Sequence, residues 1–533
     1  MNRDVALTRL RSEPFDCLVI GGGAVGAGIA VDAANRGLRV ALIERDDFGS
    51  GTSSRSTKLI HGGVRYLEQA IKTFDRTQFS LVRDALRERS ILLSIAPHLC
   101  RPLPIVTPLY NPLHIPYYLT GLKLYDWLAG NANIKPSRFI DNRDALVRFP
   151  MLKPKGLRGA VVYFDGQFDD ARLNVSLILT ADHQGAAVAN RVELIGLLKR
   201  NGQLTGAALR DTTNGNEWEL ESSVIINATG PFSDSIRLMD DPMARPIIST
   251  SSGTHIVLSK AFSPPDTGLL IPETEDGRVL FLLPWLNHTL VGTTDNPAEI
   301  VHDPKATIDD IAYLLHHLKK YFSIPVSEDD ITASWSGLRP LVSNTTQSDT
   351  AQLSRDHIVN VSTSGLITVA GGKWTTYRKM ALDTVNFAIK SKGLTAPRPS
   401  QTEKLALFGA KNFTPNIADQ LTQDHGFDSD IADHLARAYG DQANFVAELA
   451  SNGLSKRLSE DQPFIEAEIV YAARTEGAMS GIDALTRRTR LGVLDHTATR
   501  NAAKRVSNIL GKELNWSAEE VDKDYINTVT SLN

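Results

Sequence analysis

The stretch FDCLVIGGGAVGAGIAVDAANRGLRVALIE, residues 15–44, decides the fold. Residues 15–20 are short, β-rich and closed by glycine, the pattern of a strand buried on both faces of a parallel sheet. The next six, GGGAVG at 21–26, satisfy G-x-G-x-x-G. Gly21 suits the tight turn, Gly23 admits a pyrophosphate to the backbone, and Gly26 lets the helix close on the strand. Residues 27–36 predict a helix of small side chains, with Gly37 at its C-terminal end. A second strand is expected over 38–43 and runs into Glu44, 23 residues after Gly21, placed to accept hydrogen bonds from a ribose. Ala24, at the positive helix end where phosphates bind, and Arg45, after Glu44, complete this group of cofactor candidates. The unit reads as dinucleotide-binding; NAD and FAD share the fingerprint.

Further along, the texture changes. Segments 193–199, 204–210 and 217–221 look like strands, and Asn201-Gly202 and Asn214-Gly215 separate them as hairpin turns do. This meander feeds a buried strand at 224–227 that ends in Ala228-Thr229-Gly230. Strand-like segments recur at 255–258, 279–283 and 289–293, which predicts a second, largely antiparallel sheet. Another buried strand at 366–370 leads into GGKWTT at 371–376 and a helix to about residue 389. Residues 392–402, KGLTAPRPSQT, have the composition of a linker. Beyond them no strand runs occur, and segments such as 465–474 are helical.

The fold class expected is α/β. One nucleotide domain is assembled from 12–100, 186–235 and 351–392, with a mainly antiparallel sheet domain at 236–350, a mixed region at 101–185 that belongs in part to each of these two domains, and an all-α domain at 403–533.

Composition excludes several classes. The chain has 533 residues, 42% hydrophobic and 22% charged, with a net charge of −4. These are globular values without the basic field that nucleic acid demands. Cys17 and Cys100 are the only cysteines, which excludes a disulfide scaffold and a cysteine-rich metal site. No HExxH occurs, and His316-His317 are adjacent rather than on one helix face, so no metal is expected and the pair reads as a surface feature. Residues 1–14 do not resemble a secretory signal, and no run is apolar enough to span a bilayer. An intracellular, surface-associated or soluble protein is expected.

IGGGAVGAGIA (20–30), GTSSRSTKLIHGGVRYLE (51–68), NATGPFSD (227–234), GLRPL (337–341), AGGKWTTYR (370–378) and LTRRTRLGVLD (485–495) together resemble the FAD-dependent, quinone-linked glycerol-3-phosphate dehydrogenases. The resemblance runs from about residue 12 to 510. The chain lacks a D-x-D-x-D-G calcium-binding extension and so looks like the bacterial form. The family implies a glutathione-reductase-type FAD-binding domain, a sheet substrate domain and a helical cap. It also implies oxidation of sn-glycerol 3-phosphate to dihydroxyacetone phosphate, with a hydride passing from C2 to flavin N5.

A phosphate dianion needs fixed cations. Arg65 and Arg339 offer planar forks and Lys373 a point charge. By resemblance Arg65, Tyr66, His255, Arg339 and Lys373 fall in the substrate pocket. A general base near the C2 hydroxyl would assist, and histidine has a suitable ordinary pKa. His255 is the first candidate and His61 the second. Cofactor candidates from the small-residue loop are Thr52, Ser53, Lys58, His61, Gly62 and Gly63. Ala228, Gly230, Gly371, Gly372, Lys373, Trp374 and Thr375 join them, the last group opening a helix whose positive end suits the charge of a reduced flavin.

Electrons must then leave. No second redox motif is visible, so a membrane quinone or dioxygen accepts them. Residues 113–128, LHIPYYLTGLKLYDWL, set Tyr117, Tyr118, Tyr125 and Trp127 beside Lys123, as at a headgroup interface. Peripheral attachment to the inner face of the cytoplasmic membrane is one expectation; burial under the FAD domain or at a dimer contact is the other. A glycerol-3-phosphate oxidase, an amine or amino-acid oxidase and a non-catalytic FAD-binding sensor stay open as alternatives, and a second copy of the chain is a candidate partner.

Overall fold

A computed structural model describes residues 1–63, 76–272, 274–342 and 357–532. Its first sheet runs, in order, His357–Val361, Ile367–Gly371, Glu217–Asn227, Phe15–Ile20, Val40–Ile43, Ala187–Ala189, parallel throughout except at the His357–Val361 edge. The period of two is visible in the central strand. Cys17 and Val19 pack against the helix Ala24–Asn35, while Leu18 and Ile20 face a layer that includes Leu7, Leu10 and Leu209. Burial on both faces explains why this strand is apolar without alternation, and each such aliphatic contributes about 1.5–3 kcal/mol.

Ala24–Asn35 is flanked by Asp170–His183 and Tyr377–Lys392. Gly28 permits the second contact, since a Cβ there would meet the Tyr377 ring at 2.7 Å. The meander is present as Val192–Arg200, Gln203–Asp211 and the first half of Glu217–Asn227. The two segments expected at 217–221 and 224–227 are one continuous strand. Residues 217–221 pair with the hairpin and 222–227 with Phe15–Ile20, so one chain serves two ladders.

The second sheet, mainly antiparallel, draws on more of the chain than the 236–350 region. Ile248–Ser259 lies between Ile331–Val342 and His288–Gly292; Leu280–Trp285 and Gly268–Ile271 follow. Cys100–Leu109, Gly159–Phe168 and Leu59–Ile60 then extend it. One face packs under the helix Ile308–Tyr321 and the other under His114–Ala129 and C-terminal helices. His317, expected at the surface, is buried against Tyr313, while its neighbour His316 is exposed, because successive helical residues are turned by about 100° around the axis. The linker 392–402 has little regular structure but is tied to the C-terminal end of the helix Ala24–Asn35, through Arg398 N–H to Arg36 O at 3.1 Å and Gln401 N–H to Asn35 Oδ1 at 3.2 Å.

The C-terminal helices, among them Glu466–Glu476 and His496–Leu514, dock through buried ion pairs as well as apolar contacts. Arg488 donates to both Asp47 oxygens at 2.8 and 2.9 Å, and Arg172 donates twice to Glu476 at 2.7 and 2.6 Å. Burial would raise the Asp47 carboxyl, but the charges of Arg488 and Arg487 outweigh it and hold it far below the usual range. Asp47 therefore stabilises the fold fully above roughly pH 4 and loses that contribution as pH falls. Asp47→Asn should lower stability by about 3–5 kcal/mol, since it leaves a buried guanidinium without its charge partner. Denaturant unfolding at neutral pH measures this; a loss under about 1 kcal/mol would show that the pair is dispensable.

Candidate functional site

The two sheets meet around a cavity of about 1140 Å³. That exceeds the few hundred cubic ångströms one small ligand needs and suits a dinucleotide with a second molecule.

Its floor is the glycine turn. Gly21 has φ +105°, and a Cβ there would lie 2.8 Å from Ala228 O. Gly26 is closer still, since its Cβ would sit 1.9 Å from Gly21 O. Gly26 is a packing glycine and does not line the cavity, as its role in the fingerprint requires. Gly23 caps the helix without a side chain, and the space its Cβ would take opens toward Ser53 Oγ. The Ala24 N–H donates to that oxygen at 2.9 Å. Glu44 ends its strand with one oxygen accepting from Gly22 N–H at 2.8 Å and the other from Asp46 N–H at 2.9 Å. Burial raises this carboxyl above its ordinary value against the lowering effect of both amides.

The opposite wall is built by the loop before Leu59–Ile60 and by the turn Trp374–Thr376. Thr52 Oγ donates to Leu338 O at 2.6 Å, tying the loop to the second sheet. The Trp374 indole donates to Ser53 O at 2.8 Å, and the Thr375 hydroxyl lies 3.3 Å from His61 N. His61, Gly63, Ala228, Gly230, Gly371, Gly372, Lys373 and Arg45 also line the space. Besides Gly26, two expected residues do not. Gly62 turns its N–H to Tyr125 Oη at 2.8 Å, and Lys58 is enclosed in an ion pair with Asp170 at 2.6 Å. Both belong to the scaffold that holds the loop. Arg65 and Tyr66 lie outside the described residues.

On the second sheet His255 and Arg339 face the same cavity from neighbouring strands. His255 Nε2 is 3.0 Å from Thr57 Oγ, and its ring stacks on Trp335 at 4.2 Å. Gly292 makes room, as a Cβ there would overlap the imidazole at 2.2 Å. Burial first, then the charges of Lys58 and Arg339, push His255 well below the ordinary histidine value, so the ring is neutral at physiological pH. Arg339 donates to Asp295 Oδ1 at 3.0 Å, Thr293 Oγ at 3.1 Å and Thr294 O at 3.0 Å. These bonds orient the guanidinium, and Gly253 leaves space for it.

Sequence reasoning missed Thr57, Trp335, Asp295 and the C-terminal wall. Thr57 stood in the small-residue loop and Asp295 in GTTDN, but nothing local tied either to a partner. Arg487 and Val493, within LTRRTRLGVLD, reach the cavity only because the helical domain folds back. Among the described residues no cluster suits a metal ion.

The residues present fit FAD: a side-chain-free cradle at a helix N-terminus, an acceptor carboxylate for a ribose, and a second helix start beyond. A dinucleotide cradle opening onto a separate antiparallel sheet defines a two-domain FAD-dependent oxidoreductase. Residues 16–378 match the family described as FAD dependent oxidoreductase, and residues 400–521 the C-terminal domain of alpha-glycerophosphate oxidase. The chain is 48% identical over 531 residues to the mitochondrial glycerol-3-phosphate dehydrogenase of Mus musculus, covering 97% of this chain and 73% of that protein. It is 45% identical over 526 residues to the mitochondrial glycerol-3-phosphate dehydrogenase SDP6 of Arabidopsis thaliana, covering 95% and 84%. In structure it is similar to the glycerol-3-phosphate dehydrogenase from Bacillus halodurans complexed with FAD, with a TM-score of 0.81, 27% identity and 99% and 97% of the two chains covered. The chain belongs to the FAD-dependent glycerol-3-phosphate dehydrogenase family.

Glu44→Ala should weaken FAD retention tenfold or more, a loss of about 1.4 kcal/mol, because two loop amides lose their acceptor together with the ribose contact. The flavin-to-protein absorbance ratio after exhaustive desalting reads it out; a wild-type ratio would remove Glu44 from the cofactor site.

Proposed function

We propose that this protein oxidises sn-glycerol 3-phosphate to dihydroxyacetone phosphate and delivers the electrons to a membrane quinone. The observation that carries the reading is the pairing, in one cavity, of a buried neutral imidazole with an oriented guanidinium. A small secondary alcohol bearing a phosphate needs both.

Arg339 binds the phosphate with its fork held by Asp295, and Lys373 adds a point charge from the opposite wall. His255, neutral, accepts the C2 hydroxyl proton at Nε2, where the substrate hydroxyl takes the place of Thr57 Oγ, 3.0 Å from that nitrogen, as hydrogen-bond partner. His61 is the second candidate for the base. When bound, FAD supplies the two-electron acceptor for the hydride from C2. The backbone N–H groups that open the turn Trp374–Thr376 and the helix Tyr377–Lys392 would stabilise negative charge on a reduced flavin held there.

The helix His114–Ala129 supports membrane attachment. Leu122, Tyr125 and Ala129 are buried, whereas Leu113, Tyr117 and Trp127 are 77%, 49% and 75% exposed, with Lys123 on the open side. Such a helix lies in an interface rather than crossing it, and no described helix is long and apolar enough to cross. Tyr118, on the same helix, lines the cavity, which puts the site within reach of this surface. A peripheral position on the inner face of the cytoplasmic membrane follows from the reading. The oxidase alternative stays in play because the C-terminal match is to an alpha-glycerophosphate oxidase domain; peroxide formation in an oxygen electrode, with no reduction of added quinone, would favour it.

The deciding experiment is an anaerobic visible spectrum before and after adding glycerol 3-phosphate. Bleaching near ~450 nm is expected, and an unchanged flavin band would sink the proposed substrate. Arg339→Ala should raise KM at least tenfold with FAD still bound, as the loss of a charge-assisted phosphate contact implies; unchanged kinetics would take Arg339 out of the pocket. Tyr117→Ser with Trp127→Ser should abolish flotation with liposomes containing anionic lipid while leaving flavin reduction intact. Flotation that survives both changes would exclude this helix as the membrane surface.

A further inference from the structure

Past Trp335, the stacking partner of His255, lies a buried charge cluster to which the reaction so far gives no part. The Lys58 ammonium, fully enclosed, donates to Asp170 Oδ2 at 2.6 Å and to Ser54 O at 2.8 Å. Arg490 donates to Asp170 Oδ1 at 2.9 Å and lies 3.3 Å from Asp169, whose side chain is partly open to solvent. The same ammonium sits 4.5 Å from the centroid of the Trp335 ring, and the His255 imidazole stacks on that indole at 4.2 Å with an interplanar angle of 21°. One indole is therefore shared between the Lys58 ammonium and the imidazole. Aromatic faces attract cations, so the indole would favour an imidazolium if nothing else claimed it. Lys58 already claims it, and protonating His255 would bring a second positive charge against the same ring among buried groups, where like charges repel more strongly than in bulk water.

We propose that Lys58 is a positioning residue of the reaction: anchored by Asp170, its ammonium occupies the Trp335 indole and so keeps the stacked His255 in its uncharged, proton-accepting form. The inference rests on His255 being the base. Besides the cluster of Lys58, Asp170 and Arg490, the charged groups facing the imidazole are Arg339 and its partner Asp295; Thr57, Trp335 and Gly292 are neutral. The balance around the ring is thus set by two cations close to it, each with its own carboxylate. Burial pushes Lys58 down to about 8, with Asp170 opposing, so the ammonium keeps its charge at neutral pH. Removing a positive neighbour favours the imidazolium, which raises the pH at which the base is lost. The benefit to the enzyme is a base that stays available under mildly acidic conditions and releases its proton readily once product leaves.

The test is the anaerobic stopped-flow rate of flavin reduction by glycerol 3-phosphate, measured on the holoenzyme across pH. The wild-type acid limb should lie below about pH 6.5, the ordinary histidine value. Lys58→Met should move that limb up by about one unit, a tenfold lower rate at a pH beneath it, while the rate on the high-pH plateau changes only a few-fold. Lys58→Arg, which keeps the charge, should restore the wild-type limb. A limb that Lys58→Met leaves in place overturns the proposal. So does a wild-type limb at or above pH 6.5, which decides the matter even if Lys58→Met fails to retain FAD. His255→Ala separates the two readings: a wild-type rate and profile would move the base elsewhere, whereas a collapsed rate with an unmoved Lys58→Met limb would refute only the part given to Lys58.

Discussion

Asp170 Oδ2 accepts from Ser56 N–H at 2.9 Å, Ser56 Oγ at 2.8 Å and Lys58 Nζ at 2.6 Å, while Oδ1 accepts from Arg490 at 2.9 Å and from Ala171 N–H at 2.8 Å. One buried carboxylate at the start of the helix Asp170–His183 thus holds the small-residue loop against the first domain and the helical domain against both. The loop it holds touches every part of the site. Thr52 reaches the second sheet, Ser53 meets the glycine helix and Trp374, Thr57 meets His255, and Leu59–Ile60 becomes the last strand of the second sheet. A buried carboxylate with this many donors couples the loop, the first domain and the helical domain, so a change at one is felt at the others.

That arrangement explains why the chain enters the nucleotide sheet in three separate segments. The cavity must be walled by a helix start from the N-terminal unit, a strand end near residue 228 and a second helix start near residue 374. The parallel sheet sets these three ends side by side because Phe15–Ile20, Glu217–Asn227 and Ile367–Gly371 are neighbours in it. Ligands in such sheets sit beyond the carboxyl ends of the strands, where loops are free to vary and helix termini point inward.

The helical domain is part of the site rather than an appendage. Arg487 and Val493 line the cavity, Arg490 shares Asp170 with Lys58, and Arg488 closes on Asp47 just past the ribose-binding strand. Its apolar contacts alone would leave the orientation loose. The bidentate pairs fix it, because a planar guanidinium meets a carboxylate in one geometry.

Read alone, the sequence already determined the nucleotide unit: strand, glycine turn, helix and terminal acid lie within thirty consecutive residues, and each has a local reason to be there. The meander was legible for the same reason, through its Asn-Gly turns. Arg339 and His255 came from motifs and stand on adjacent strands. What only tertiary structure decided were relations between distant residues. The strands Cys100–Leu109 and Gly159–Phe168 join the second sheet through long-range pairing that no local pattern announces. Lys58 looked like a cofactor ligand because it sits in the right loop, but a lysine side chain follows the nearest carboxylate, and Asp170 lies 112 residues away. The neutrality of His255 belongs to the same class: histidine carries its ordinary pKa in the sequence, and the fold alone supplies the burial and the two cations that lower it.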